Sequence, residues 1–421
     1  MRAIVAGAGM VGLATAWRLH REGHDVTLFD PAPATGATRA AGGMLTPVGE
    51  AFHGEDDLTA LLTESSRRYP AFVDEVAAHL PPGAPTGYVT SGTLIVGADS
   101  ADRGHLADLH ALSLRLGLGS EAVTTREARR LEPLLSPHLT CAFLAPEDHQ
   151  VDPRLLAAAL LAALRAEGVE IVEEPVAGVR AGERPRIELA PGSSRDALES
   201  DVVVVAAGLG AADLTRDLGD GHGLDLDHVL RPVHGEVVRL TAPPHLAPLM
   251  TRTIRGLVEG RPVYLIPRGD GRVLLGATSR EDDERGVLAG GVHDLLVDAV
   301  RLVPAVREFA VEEVLARARP GTPDNAPVIG PVAPGVVVAT GLFRHGILLA
   351  PLTADLVAAH VRRLGGSAHE GDDDLLALAG CADPQRFARA AGPSGSSEPS
   401  RPTVDSTVDS TVDSTVAKDT P

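Results

Sequence analysis

The first thirty residues contain the pattern that most limits how this chain can fold. The apolar run AIVA leads into GAGMVG, whose glycines are Gly7, Gly9 and Gly12, and a helical pattern follows. Gly7 permits a tight turn after the strand, Gly9 lets the backbone approach a pyrophosphate, and Gly12 permits close packing of helix on strand. Asp30 ends the next predicted strand, 18 residues after Gly12, where a carboxylate accepts hydrogen bonds from ribose hydroxyls. The pattern predicts a dinucleotide-binding unit, but it does not separate NAD from FAD.

Composition excludes several classes of function. The 421 residues include 38 basic and 57 acidic side chains, and the net charge of −19 argues against nucleic-acid binding. Lys418 is the only lysine, so a lysine Schiff base or lysine general base is excluded from the folded part. Cys141 and Cys381 lie far apart and outside metal-ligand spacing, so we expect no disulfide framework and no metal site. No apolar run reaches the roughly 18 residues that span a bilayer and no cleavage site follows the start, which predicts a cytoplasmic protein.

Two styles of segment alternate along the chain. Residues 1–30, 153–172, 201–208 and 335–363 read as strands and helices of one parallel sheet covered by helices. Between them, 86–98 and 228–279 are rich in β-branched residues and turns, which is typical of antiparallel strands. The predicted fold class is therefore α/β: a Rossmann-like nucleotide-binding domain interrupted by a mostly antiparallel β substrate-binding domain.

The predicted boundaries make the nucleotide-binding domain discontinuous. It comprises residues 1–85, 141–225 and 315–366, and the substrate-binding domain comprises 86–140 and 226–314. A short acidic extension covers 367–391. The tail at 392–421 contains three TVDS repeats and almost no large apolar residues, so we predict that it is disordered.

Several longer motifs carry a resemblance to a known family. After Asp30 the chain runs ATRAAGGMLTPVGE, a stretch of small residues that alone suits either a plain surface loop or a backbone lying against a planar ring. Further motifs follow over residues 1–365: DHQVDPRLLAAAL, PVYLIPRGDGRVLLGAT, ARARPGTPDNAPVIGP and GLFRHGILLAPLTADLV. Together they resemble the FAD-dependent amine and amino-acid oxidases, and within them the glycine oxidases of thiamin biosynthesis. The resemblance selects FAD over NAD.

The resemblance implies a set of cofactor-binding residues. Besides the three glycines, these are residues next to the glycine turn that would contact the pyrophosphate and ribose, and the loop of small residues. A valine beside the adenine and the segment along the flavin ring complete the set. The expected residues are Gly7, Gly9, Met10, Val11, Gly12, Asp30, Pro31, Ala37, Thr38, Gly42, Gly43, Met44, Val176, Leu342, Phe343, Arg344, His345, Gly346, Ile347 and Leu348. The family's covalent branch attaches the flavin through a cysteine, but both cysteines fall outside the matching motifs, so we expect non-covalent FAD.

The resemblance also implies the residues that hold the substrate. Arg319 precedes PGT, where the family has an arginine that pairs with the substrate carboxylate in a bidentate geometry. Arg344 matches a second arginine near the carboxylate, and Tyr264 matches an aromatic hydroxyl that closes the pocket. For each arginine alone the ordinary interpretation is a surface salt bridge. The chain departs from the family in AAGGM, at His345 and at Ser279, which leaves the size preference of the pocket open.

The implied reaction is oxidation of glycine, with sarcosine and small D-amino acids as further candidates. A hydride passes from Cα to the flavin, and the imine gives glyoxylate and ammonia while dioxygen becomes hydrogen peroxide. The resemblance further implies that a thiazole synthase takes the imine, and we expect a homo-oligomer. The alternative is another flavin amine oxidase, or a D-amino-acid dehydrogenase that uses an acceptor other than oxygen.

Overall fold

The computed structural model describes residues 1–193, 195, 197–218, 224–246 and 250–390. The tail predicted to be disordered, 392–421, lies outside the described residues. Within the described part, no helix has the length and apolar character that a bilayer crossing requires.

Twenty strands lie within the described residues. Their bounds are β1 (Arg2–Ala6), β2 (Asp25–Phe29), β3 (Met44–Leu45), β4 (Tyr88–Val89), β5 (Thr93–Gly97), β6 (Glu121–Val123), β7 (Cys141–Ala145), β8 (His149–Val151), β9 (Glu170–Val172), β10 (Val176–Arg180), β11 (Arg186–Leu189), β12 (Leu198–Glu199), β13 (Val202–Val205), β14 (Arg231–Thr241), β15 (Thr253–Val258), β16 (Arg261–Pro267), β17 (Arg272–Gly276), β18 (Ala310–Gly321), β19 (Val328–Ala333) and β20 (Val336–Thr340).

Helices cover the sheets and connect them. Their bounds are α1 (Met10–Arg21), α2 (Ala37–Ala40), α3 (Asp56–Ala77), α4 (Ser100–Arg115), α5 (Thr125–Leu131), α6 (Pro153–Ala166), α7 (Ala211–Thr215), α8 (Leu226–Val229), α9 (Ala289–Leu302), α10 (Ala350–Leu364), α11 (Asp372–Leu378) and α12 (Gln385–Ala390). Short 3-10 turns lie at Gly208–Gly210, Pro244–Leu246, Pro304–Glu308 and Gly380–Ala382.

A six-stranded sheet in the order β19-β20-β13-β1-β2-β9 contains all four segments predicted to share a sheet. Its neighbours from β20 to β9 pair in parallel, and β19 adds an antiparallel edge. The run Val202–Val205 is buried throughout because helices and loops cover both faces of the sheet. On one face α1 packs against α6 and α10, with Trp17 fully buried. The predicted Rossmann-like sheet is confirmed.

An eight-stranded sheet in the order β18-β14-β17-β16-β15-β5-β7-β6 forms the second layer. All of its pairs are antiparallel except β15 with β5, so the mostly antiparallel prediction is confirmed. The predicted strand segment 86–98 divides between two sheets. Its β5 joins the large sheet, whereas β4 pairs with β8 in a small sheet that also contains β3. A separate small sheet holds β10, β11 and β12.

Strand pairing bears on two of the predicted domain boundaries. Both β7 and the whole of β18 hydrogen-bond within the eight-stranded sheet, although the predicted boundaries fall at 141 and 315. Pairing therefore groups β7 and β18 with the substrate-binding segments. The division of the chain into domains otherwise remains a prediction.

Candidate active site

A cavity of about 750 Å³ is lined by residues from both large sheets. That volume falls within the range of pockets that hold cofactors and small ligands. The glycine turn after β1 and the loop after β2 line it from the parallel sheet. Strands β14, β16 and β18 line it from the antiparallel sheet, so the cavity can hold a long cofactor with a substrate beside it.

The three glycines of the turn have three different physical roles. Gly7 has a φ of +108°, and a Cβ there would lie 2.5 Å from the carbonyl oxygen of Ala206. A Cβ at Gly12 would overlap the carbonyl oxygen of Gly7, so Gly12 serves the packing of α1 on β1. A Cβ at Gly9 would meet only Thr38 Oγ1, 3.5 Å away. Gly9 is also the N-cap residue immediately before α1 and has no side chain to cap the helix. This helix end therefore offers backbone N–H groups to an anion.

Two predicted cofactor residues organise the turn itself. Asp30 Oδ2 accepts a hydrogen bond from the Ala8 N–H at 2.7 Å, and its Oδ1 accepts one from the Ala32 N–H at 2.8 Å. The Met10 N–H donates to Thr38 Oγ1 at 3.0 Å. The carboxylate and the hydroxyl therefore fix the loops around the cavity in addition to facing it.

The predicted cofactor and substrate residues converge on this one cavity, with one exception. Gly12 is buried behind the turn and does not line the cavity, and its contact with the cofactor stays a prediction. The lining residues from the prediction are Gly7, Gly9, Met10, Val11, Asp30, Pro31, Ala37, Thr38, Gly42, Gly43, Met44, Val176, Tyr264, Arg319, Leu342, Phe343, Arg344, His345, Gly346, Ile347 and Leu348. Their individual contacts with FAD or substrate remain predictions.

The segment between β20 and α10 is held against the antiparallel sheet. Phe343 has a φ of +45°, a strained value for a bulky side chain, and its N–H donates to the Pro320 carbonyl at 2.8 Å. His345 lies two residues further along and is buried. Burial lowers the pKa of its imidazole to about 4. This segment therefore places a neutral histidine and a strained backbone at the cavity wall.

Arg319 is a half-buried cation without a carboxylate partner among the described residues. It projects from β18 over Gly235, where any Cβ would overlap the guanidinium. The one hydrogen bond of its side chain within the described residues runs from Nη1 to the Thr278 carbonyl at 3.3 Å, and no described acidic side chain forms an ion pair with it. Burial lowers the pKa of Arg319, although the group remains a strong base. A half-buried guanidinium that faces a cavity and has no ion-pair partner among the described residues is a site for an anionic ligand.

Tyr264 lies beside Arg319 and shares the cavity with it. Burial raises the pKa of its phenol, and the nearby Arg319 opposes that increase. The ring covers Gly276, where a Cβ would overlap the phenol, and the hydroxyl has no hydrogen-bond partner among the described residues. A free hydroxyl next to a free guanidinium suits a ligand that carries a carboxylate.

Arg344 differs from Arg319 because it already has a partner. Its Nη2 lies 3.2 Å from Oε2 of Glu50, and Glu50 also binds Arg255. Burial alone would raise the pKa of Glu50, but Arg255 and Arg344 together hold it down to about 2. The carboxylate is therefore ionised at neutral pH and neutralises one of its two arginines.

Sequence reasoning did not assign Glu50, Arg255 or Thr278 to the site. Glu50 ends the small-residue loop, and its position in that loop was an available signal. Arg255 pairs with Tyr264 across β15 and β16, a register that only the folded sheet reveals. Thr278 contributes its backbone carbonyl, which residue type cannot indicate.

The chain matches a family model and several known proteins. The family model described as DAO, FAD dependent oxidoreductase, covers residues 2–360. A glycine oxidase of Geobacillus kaustophilus is 32% identical over 365 residues, 85% of this chain and 92% of that protein. A putative thiamine biosynthesis oxidoreductase of Rhizobium etli is 33% identical over 362 residues, 85% of this chain and 95% of the relative.

Two further matches bear on partner and fold. The bifunctional protein ThiO/ThiG of Synechocystis sp. is 29% identical over 394 residues, which cover 93% of this chain but 54% of that protein. The crystal structure of glycine oxidase from Geobacillus kaustophilus superposes with a TM-score of 0.76 at 30% identity, covering 87% of this chain and 97% of that one.

The cavity fits the cofactor that the family uses. The N-terminus of α1, where the N-cap residue Gly9 has no side chain of its own, gives the backbone room to form a cradle for the pyrophosphate of FAD. Neither cysteine lines the cavity, which agrees with FAD bound without a covalent link. From its family match, its fold and this cavity, the chain belongs to the family of FAD dependent oxidoreductases and has FAD as its cofactor.

Proposed function

We propose that this protein oxidises glycine to its imine and passes the electrons to dioxygen. The observation that carries the proposal is Arg319, a half-buried guanidinium that faces the cavity and has no carboxylate partner in the described part of the chain. An α-amino acid supplies the missing carboxylate. The relatives named glycine oxidase favour glycine among the small amino acids.

The residues of this chain would bind and orient the substrate. Arg319 holds the carboxylate through two parallel N–H donors, and the Tyr264 hydroxyl adds a third donor. Fixing the carboxylate fixes Cα, and such positioning can lower a barrier by several kcal/mol. When bound, FAD supplies the hydride acceptor.

Among the described residues, the side chains at the substrate end of the cavity include no strong base. Glu50 is held ionised by two arginines, so it is a poor proton acceptor, and burial keeps His345 neutral with a pKa of about 4. Hydride removal from a neutral amine needs no such base, in agreement with this arrangement. Proton-abstraction mechanisms at Cα are less well supported by these residues.

Several wider features belong to the same proposal. The fusion of a ThiO-like part to a second part in the Synechocystis relative supports transfer of the imine to a separate thiazole-forming enzyme. Use of dioxygen, a cytoplasmic location and a homo-oligomeric state stay predictions from the sequence and its resemblance.

The test is a substrate comparison on the purified flavoprotein. Glycine, sarcosine, proline and D-alanine would each be added in air while hydrogen peroxide and ammonia are measured. We expect glycine to give peroxide and ammonia in equal amounts and to have the highest kcat/KM, whereas sarcosine and proline, as secondary amines, release no ammonia and are compared by peroxide alone. Turnover of another substrate alone would replace glycine, and turnover only with an added quinone or dye would replace dioxygen.

A further inference from the structure

Arg268 is a buried arginine that lies outside the cavity and has no place in the reaction described above. It follows β16, and its side chain is 7% exposed. Its Nη2 donates to the Gly42 carbonyl at 2.6 Å, and its Nη1 donates to the Val151 carbonyl and the Gln150 amide oxygen at 3.2 and 2.9 Å. A buried charge that satisfies carbonyl oxygens of two different segments holds those segments together.

One of those segments is the loop that lines the cavity between α2 and β3. The Gly42 carbonyl binds Arg268, and the next carbonyl, that of Gly43, accepts the Val151 N–H at 2.8 Å. Gly43 has a φ of +74°, and a Cβ there would overlap the Val151 carbonyl. The loop is therefore fixed from behind at two successive carbonyls.

This anchoring sets the direction of one backbone donor. The Gly42–Gly43 peptide is trans, so its N–H points away from its carbonyl and hence away from Arg268. Within the described residues the Gly43 N–H has no hydrogen-bond acceptor, and Gly43 lines the cavity. Unpaired backbone donors in a folded interior indicate a missing acceptor.

The same strand links this donor to the substrate end. Alternation along β16 and beyond places Tyr264, Ile266 and Arg268 on one side. A Cβ added to Gly42 would lie 3.0 Å from Ile266 Cδ1 and 3.3 Å from the Tyr264 hydroxyl. The antiparallel sheet thus contacts the loop through three successive side chains of one face.

We propose that Arg268 is a positioning residue for the cofactor. By holding the Gly42 carbonyl, it turns the Gly43 N–H into the cavity as a donor to bound FAD, and it keeps this loop in register with Tyr264. The proposal rests on FAD binding and not on the identity of the substrate.

The test compares Arg268→Lys and Arg268→Met with the matched control Arg272→Met. Arg272 begins the partner strand of the same hairpin and is half-exposed, paired with Asp270 and Glu312. FAD would be titrated into each apo-protein by flavin fluorescence, with the visible circular dichroism and the midpoint potential of the bound flavin as further measurements. Far-UV circular dichroism of the apo-protein checks folding.

We expect both Arg268 variants to bind FAD at least tenfold more weakly, with altered flavin dichroism and a lower midpoint potential, while Arg272→Met matches the wild type. Arg268→Lys keeps the positive charge, but a lysine cannot bind the Gly42 carbonyl and the Gln150–Val151 segment at the same time. This variant should therefore fold and still bind FAD more weakly. Wild-type affinity and potential in a folded Arg268→Lys would overturn the proposal. Loss of the apo fold in Arg268→Lys would also overturn it, because the role would then be structural.

Discussion

Arg344 and Glu50 form an ion pair with 3.2 Å between Nη2 and Oε2, whereas Arg319 faces the same cavity and has no acidic partner among the residues that the structure describes. The two arginines that the sequence assigned to the substrate carboxylate are therefore not equivalent. Arg344 would have to share its charge with Glu50, and Arg319 is free to take the substrate.

Arg319→Met should raise the KM for glycine more than Arg344→Met does. Removing one partner of a buried, hydrogen-bonded charge pair costs about 2 to 5 kcal/mol, so we expect the KM to rise by at least about 30-fold. Arg344→Met should raise it by less than about tenfold. Steady-state kinetics with a check of FAD content measures both, and an equal effect of the two substitutions would contradict the distinction.

Glu50→Gln should destabilise the protein because it leaves Arg255 and Arg344 without their shared carboxylate. Loss of one partner from a buried ion pair costs about 3 to 5 kcal/mol. Urea unfolding at neutral pH measures the loss. As a control, Glu308→Gln removes an exposed pair with His245 and should cost no more than about 1 kcal/mol. Equal stability of Glu50→Gln and wild type would show that the two arginines do not depend on Glu50.

Gly9→Ala and Gly12→Ala should separate cofactor binding from folding. A Cβ at Gly9 meets only Thr38 Oγ1 at 3.5 Å, so the apo-protein should keep its stability while its FAD affinity falls at least tenfold. A Cβ at Gly12 overlaps the Gly7 carbonyl, so Gly12→Ala should lower the melting temperature of the apo-protein itself. Calorimetry of the apo forms and an FAD titration distinguish the two.

Gly104→Ala in α4 serves as the control for these glycine substitutions. No atom lies within 4 Å of a Cβ at this position, and alanine should favour the helix by up to about 1 kcal/mol. FAD affinity should not change in Gly104→Ala. Normal FAD affinity in Gly9→Ala would mean that the pyrophosphate lies elsewhere.

His360 should make the protein sensitive to mild acid. Burial is the main cause that lowers the pKa of His360 from 6.5 to about 4. Its contribution to stability is complete above the unfolded pKa of 6.5 and is lost as the pH falls towards 4. The difference in unfolding free energy between about pH 7.5 and about pH 5 should be about 2 kcal/mol smaller in His360→Gln than in wild type.

Urea unfolding at the two pH values measures this difference for wild type and His360→Gln. The exposed residue His53 provides a control, since His53→Gln should leave the difference unchanged. An unchanged difference in His360→Gln as well would show that the folded protein accepts the proton at His360 without cost.

The sequence was most informative where a local rule determines structure. The turn at Gly7 and the alternation of strand and helix predicted the parallel sheet, because backbone conformation and burial on both faces restrict the residues allowed there. The motifs around Arg319 and Arg344 located the cavity residues through resemblance. At Gly12 the structure shows the packing role that the motif predicts, and the predicted contact with the cofactor stays a prediction.

What remained hidden depends on contacts between segments distant in the chain. Arg255 lines the cavity because β15 pairs with β16, and Arg268 reaches Gly42 across 226 positions of sequence. The split of 86–98 into β4 and β5 has the same origin, since strand type is local but the choice of partner strand is not. Pairing of Glu50 with two arginines could not be predicted because charged residues of many segments compete for such contacts.

The most direct measurement is an anaerobic titration of the purified flavoprotein with glycine, followed by flavin absorbance, for wild type and Arg319→Met. We predict that glycine bleaches the flavin bands of the wild type, and that Arg319→Met retains its FAD but needs far more glycine for the same bleaching. Flavin that glycine leaves unreduced in the wild type would contradict glycine as the substrate. Equal glycine dependence in both proteins would contradict Arg319 as the carboxylate anchor.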